Sequence, residues 1–224
     1  MTSAEHDVLI EPDGLPGLLC VPGAARGLVV FVHGSGSSRL SPRNRQVATA
    51  LGDAGYGTLL FDLLHVHEAE DRRNVFDIPL LASRTVTAVD WLDRAAAARR
   101  WPIGLFGAST GAAAALVAAT HLYGRIAAVI SRGGRPDLAG EALERVRAPT
   151  LLVVGGQDRE VLDLNRRAFD RLRCTKTLEI VPGATHLFEE PGTLDAVTAH
   201  AITWLDRFVR HTANDRSSPP VDDL

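Results

Sequence analysis

The chain has 224 residues, 46% apolar and 23% charged, which suits one soluble domain with a sizeable core and leaves little room for a second. Its 24 basic and 27 acidic side chains give a formal charge of -3, so electrostatics offers no ground for a nucleic-acid or anionic-membrane partner. No apolar run approaches the ~20 residues that cross a bilayer, and no membrane helix is expected.

The acidic opening "MTSAEHDVLIEPDG" has neither a basic n-region nor an apolar h-region, so no signal peptide is expected. Segments 7–10 and 15–21 are short, Pro/Gly-punctuated and β-like, as in an antiparallel entry hairpin. Residues 27–32, "GLVVFV", form an apolar run that stops at "HGSGSS". Helix character over 42–54 ends at Gly55, and 56–62 is again strand-like. A helix is predicted from 78 to about 99, with Leu81, Val86, Val89 and Leu92 near helical spacing. "PIGLFG" is a strand, 110–121 a helix, "RIAAVIS" a strand and "PTLLVVGG" (149–156) another. A helix over 160–172, the strand "KTLEIV" and an amphipathic helix over 193–210 complete the series. Uncharged strands alternating with helices predict an α/β fold. Its sheet should be mostly parallel and doubly wound, antiparallel at the N-terminal strands, with helices on both faces. One domain is expected over 1–211, followed by a Pro/Ser-rich, disordered tail over 212–224.

Ligands bind at the carboxyl ends of such strands, and reactive side chains gather there. His33-Gly34-Ser35-Gly36 follows "GLVVFV", Ser109 follows "GLFG", Asp158 follows "LLVVGG", and His186 in "PGATHLF" follows "KTLEIV". A hydroxyl, a carboxylate and an imidazole thus fall at one edge of the predicted sheet. Ser109 lies between Gly107 and Gly111, between a strand and an alanine-rich helix, where a sharp turn exposes one hydroxyl.

Gly107-Ala108-Ser109-Thr110-Gly111 matches the G-x-S-x-G nucleophile elbow, and the chain resembles the α/β-hydrolases. More narrowly, "HGSGSSRLSPRN", "GASTGAAAAL", "SRGGRPDL" and "PGATHLFEEPG" are similar to the small dienelactone-hydrolase-like branch, over roughly residues 27–210. Dienelactone hydrolases proper use a cysteine nucleophile. This chain has Ser109, so no dienelactone substrate is carried over.

The resemblance implies a serine hydrolase acting on an ester, thioester or lactone without a cofactor. Ser109 is the nucleophile, His186 its base and Asp158 the group orienting His186. The backbone N–H groups of Thr110 and Ser35 are the expected oxyanion donors. Alternatives remain: Ser109 as a helix N-cap, Asp158 as a cap, with Asp163 as a weaker acid, and a non-catalytic interaction module on the same fold. An acyltransferase shares the first step.

His33, Arg39, Arg132 and Arg135 are candidate substrate-binding residues at the same loops, with Arg43 and Arg45 nearby. His33 is read chiefly as a prop for the oxyanion loop. The arginines either recognise an anionic group on the substrate or pair with Asp137, Glu189 and Glu190. "HVHEAE", with His65, His67, Glu68 and Glu70, lacks a third clustered ligand and is read as a solvated loop, not a metal site. Only a short stretch follows "SRGGRPDL" before the next strand, which implies no large cap and a modest-sized soluble acyl substrate. Cys20 and Cys174 are isolated. Their spacing does not forbid a disulfide, but free thiols and a cytoplasmic location are expected. Oligomeric state is not legible.

Overall fold

A strand covered by helices on both faces favours apolar side chains. The strands Leu28–Val32 and Ile103–Ala108 are apolar and buried throughout, and polar exceptions such as Ser131 and Arg132 fall at the end of a strand. The computed structural model describes residues 4–95 and 101–209. The strands are β1 (Glu5–Ile10), β2 (Leu15–Cys20), β3 (Leu28–Val32), β4 (Gly57–Phe61), β5 (Ile103–Ala108), β6 (Ile126–Arg132), β7 (Thr150–Gly155) and β8 (Lys176–Val181). They form one sheet in the order β1-β2-β4-β3-β5-β6-β7-β8. β1 and β2 pair antiparallel, as do β2 and β4. The remaining neighbours are parallel.

The helices are α1 (Pro42–Asp53), α2 (Val66–Ala69), α3 (Arg72–Val75), α4 (Ile78–Ala95), α5 (Thr110–His121), α6 (Arg159–Arg171) and α7 (Thr193–Phe208). Successive strand residues feed opposite cores, as the pleat requires. Val30, Val32, Leu59 and Leu105 pack with Leu81 and Val89 of α4 and the alanines of α5. Val29, Phe31, Leu60 and Phe106 pack with Val47 and Leu51 of α1 and Val197, Trp204 and Leu205 of α7. This is the α/β-hydrolase arrangement expected from the sequence. Residues 133–149 hold only a 3₁₀ segment, Pro136–Glu144, so no large cap covers the sheet edge.

Two one-turn helices, α2 and α3, lie where the sequence reads as loop. Four residues are too few for a periodic signal, and local caps hold them. The Glu68 carboxylate accepts from the His65 N–H at 2.8 Å, and that of Asp71 accepts from the Arg73 N–H at 2.9 Å. The end of the predicted helix at 99, the residue at 210 and the tail over 212–224 lie outside the described residues. Among the described residues, no helix is long and apolar enough to cross a membrane.

α5 is buried almost all round, its alanines presenting only methyl groups to the core. At its first turn a methyl group on Gly111 would lie 2.1 Å from the Val32 carbonyl oxygen and 2.4 Å from that of His33. One on Gly107 would lie 2.5 Å from the Ala112 Cα. Both contacts are to backbone, which cannot rotate away. Gly111→Ala is therefore expected to destabilise the fold by about 1–3 kcal/mol. Urea unfolding checks this: an unchanged midpoint would mean that helix and strand separate without strain.

Candidate active site

Ser109 joins β5 to α5 with φ 50° and ψ -124°. A non-glycine residue in that region costs about 1–3 kcal/mol and persists only where its surroundings enforce it. The surroundings are specific. Ser109 N–H donates to the Arg132 carbonyl at 3.4 Å, and the Ser109 carbonyl accepts from Ala112 N–H at 3.1 Å and Arg135 N–H at 2.9 Å. Gly34 presses on the turn, since a methyl group there would lie 2.8 Å from the Ser109 Cβ. The Ser109 side chain makes no capping bond to α5, so the N-cap alternative does not describe it.

Asp158 precedes α6 and likewise makes no side-chain capping bond. Its Oδ2 instead accepts from His186 Nδ1 at 2.6 Å. With Nδ1 donating, Nε2 is the ring nitrogen left to accept a proton. The Asp158 side chain is 14% exposed and that of His186 38%. Asp163, the weaker alternative acid, pairs with Arg166 at 3.0 Å on the exposed face of α6.

The loops carrying Asp158 and His186 are stitched together. Gln157 N–H donates to the Ala184 carbonyl at 2.9 Å, and a side chain at Gly155 would collide with that carbonyl at 2.4 Å. Thr185 donates to the Glu190 carboxylate from its N–H at 3.1 Å and its hydroxyl at 2.6 Å. These bonds, the hydroxyl first, hold the Glu190 carboxyl below its usual range. Phe188, buried at φ 54°, anchors the turn just after His186. Neither Glu190 nor Phe188 carries a sequence signal for this role. Ser109 and His186 border one cavity of about 590 Å³.

The expected oxyanion donors are also close together, but in a way the sequence did not reveal. Ser35 N–H donates to the Thr110 hydroxyl at 3.0 Å, so this donor is engaged within the protein. Thr110 begins α5, where a backbone N–H has no helical acceptor and the helix end is partially positive.

His33 does not border that cavity. Its Nδ1 lies 3.0 Å from the Gly34 carbonyl, and its Nε2 accepts from Leu63 N–H at 3.1 Å. Both ring nitrogens serve the backbone, so the reading as a prop replaces the substrate-binding one. Arg39 also leaves the candidate set, because its guanidinium and its N–H both bond the Asp62 carboxylate. Arg135 is neutralised by a two-bond fork to Asp137, at 2.9 and 2.8 Å. Arg43 bonds Glu189 at 3.1 Å and Arg45 bonds Glu5 at 3.2 Å. Of the four substrate-binding candidates, Arg132 alone lines the Ser109 cavity.

The "HVHEAE" residues have structural partners. His65 Nε2 lies 2.9 Å from the Asp13 carbonyl, its ring stacks on His67, and Glu68 accepts from Arg84 at 3.0 Å. Cys20 and Cys174 form no disulfide.

The model of the dienelactone hydrolase family matches residues 15–210. A crystal structure of a dienelactone hydrolase from Anabaena variabilis is 50% identical, covering 94% of this chain and all of that one, with a TM-score of 0.90. Est1E from Butyrivibrio proteoclasticus, seen with ferulic acid bound, shares the fold at 18% identity and a TM-score of 0.77, over 90% of this chain and 99% of that one. Two proteins of Mycobacterium tuberculosis, from strains CDC 1551 and H37Rv, are 55% identical over 92% of this chain and are provisionally named phosphoribosyl transferases. The chain spans 46% of their length.

Burial lowers the proton affinity of His33 below the ordinary value of 6.5, against smaller opposing effects of Gly34 and Asp62. The unfolded chain then binds the extra proton first, so this contribution to stability is complete above about pH 6.5 and is lost as acid crosses the lowered folded value. Urea midpoints measured from pH 7.5 to 5 are expected to fall more steeply for the wild type than for His33→Gln. Parallel slopes would remove His33 as a source of acid sensitivity.

Proposed function

The chain belongs to the dienelactone hydrolase family, and from that footing we propose that it is a serine hydrolase cleaving a carboxylic ester, thioester or lactone of a small substrate. The observation that carries the reading is the strained Ser109 backbone on the rim of the cavity that His186 also lines, with Asp158 bonded to the far side of the imidazole.

Each step follows from these groups. The Ser109 hydroxyl adds to the substrate carbonyl while His186 Nε2 takes its proton, and Asp158 stabilises the imidazolium that forms. The carbonyl oxygen becomes an oxyanion facing the N–H groups of Thr110 and Ser35. Collapse expels the alcohol or thiol, which receives the proton from His186, and leaves an acyl group on Ser109. Water then repeats the sequence through the same imidazole and releases the acid. Ser35 N–H must exchange the Thr110 hydroxyl for the oxyanion. The 3.0 Å bond keeps that donor beside the Thr110 backbone until then.

A cavity open on one side and an imidazole more than a third exposed favour water as the acceptor over a second alcohol. The name of the longer M. tuberculosis relatives concerns phosphoribosyl transfer, whereas a serine, imidazole and carboxylate set suits acyl chemistry. We assign that name to the part of those proteins outside the match. We infer a reducing, cytoplasmic setting, in keeping with Cys20 and Cys174 forming no disulfide.

A fluorophosphonate probe is expected to label the wild type and not Ser109→Ala. Hydrolysis of short p-nitrophenyl esters should fall by about 10⁴-fold in kcat for Asp158→Asn. An accessible Ser109 that resists the probe would leave a non-catalytic module as the better reading. Thr110→Val, which keeps the backbone donor but loses the hydroxyl, should lower kcat roughly tenfold with little change in KM, the scale of one modest hydrogen bond. Thr110→Ser should restore it; equal losses in both variants would mean that packing alone is at issue.

A further inference from the structure

Arg132 ends β6 with its Cα opposite that of Ala108, one strand across from the elbow. It is 9% exposed, and its Nη1 has no hydrogen-bond partner. Among the described residues no carboxylate pairs with it, although Asp62, Asp137 and Glu189 neutralise Arg39, Arg135 and Arg43 close by. A buried cation without a counter-ion is among the least favourable arrangements in a fold. Burial, and after it the charge of Arg43, pull the Arg132 proton affinity down to about 10. Burial penalises a charge of either sign, but the smaller contribution, the positive charge of Arg43, is one that an anion would meet favourably.

The rest of the cavity has matching chemistry. Ser37, Ser38 and Ser41 line it beside Arg43, and the Ser38 and Ser41 hydroxyls, which accept from the Leu40 and Asn44 N–H groups, keep a proton to donate. Ser41 caps α1, so the positive end of a 12-residue helix lies at the same wall. Resting on the serine-hydrolase reading above, we propose that the ester substrate carries a phosphate monoester group, held by Arg132 in the cavity beside Ser109.

Charge and shape decide for phosphate over carboxylate. A guanidinium fork accepts either. A carboxylate brings one charge and two coplanar oxygens, whereas a phosphate monoester brings nearly two charges at neutral pH and three acceptor oxygens. Arg132 and Arg43 repel each other, and a dianion offsets both. A tetrahedral group can also accept from donors that do not lie in one plane. Glu189, the present partner of Arg43, is 62% exposed and held by a single bond, so an incoming dianion can replace it. The phosphate is a handle: the bond broken remains the acyl carbon–oxygen (or carbon–sulfur) bond, and no phosphoryl group moves.

The test compares p-nitrophenyl esters with one leaving group and acyl chains of equal length ending in methyl, carboxylate or phosphate. The phosphate ester is expected to show kcat/KM at least tenfold above the other two, and Arg132→Gln to abolish the ratio, with Arg132→Lys intermediate. Equal or faster turnover of the carboxylate or methyl ester overturns the proposal, as does a ratio that survives Arg132→Gln. Because the buried site can fail to fold without arginine, inorganic phosphate is also titrated into folded Ser109→Ala and followed by phosphorus NMR, with chloride of equal ionic strength as control. Saturable binding supports the site without any turnover, and its absence overturns it. Fluorophosphonate labelling of the same wild-type preparation reads the nucleophile separately, so failure of the triad and failure of the anion site give different results.

Discussion

Everything at the rim of the Ser109 cavity depends on how closely the first turn of α5 meets the ends of β3 and β5. Gly111 lies against the Val32 and His33 carbonyls, and Gly34 lies against Ser109. These contacts leave no space for a relaxed turn, so Ser109 is held at positive φ with its backbone tied to Arg132 and Arg135. The same proximity brings the loop after β3 near enough for Ser35 to bond Thr110. Ser109, the loop after β3 and the loop after β6 are thus placed by one packing event. Its strain is stored in backbone rather than in side chains that could repack.

The opposite half of the site is assembled by loop-to-loop bonds. The Asp158 and His186 loops share the contact of Gln157 with Ala184, and Glu190 and Phe188 brace the far end. In the proposed reaction the imidazole both accepts and returns a proton, which needs a fixed ring orientation with freedom at one nitrogen. The bond from Nδ1 to Asp158, with the ring otherwise partly open to solvent, provides both.

Charge around the cavity is arranged unevenly. Arg39, Arg135, Arg43 and Arg45 each meet an acid, and His33 is kept neutral by burial while both ring nitrogens bond backbone. These pairs order the loops, although the charge of Arg43 still reaches Arg132 across the cavity. Arg132 is different because the sheet buries it without supplying an acid.

Which strand carries which reactive group is legible along the chain. Uncharged runs marked the covered strands, a serine between glycines marked the elbow, and each candidate triad residue followed a strand at the same edge. Such features are local, since periodicity and turn composition act within a few residues. The one-turn α2 and α3 fell below that range, and their caps form only once the surrounding loop is folded. Tertiary structure alone decided that Arg132 is buried beside the cavity without a counter-ion among the described residues, and where Ser35 N–H is directed. It alone recruited Glu190 and Phe188. The pair Arg43–Glu189 spans 146 positions and the bond from Ser35 to Thr110 spans 75. Electrostatic pairing depends on distance in space, and no pattern read along the chain records which acid arrives beside which base.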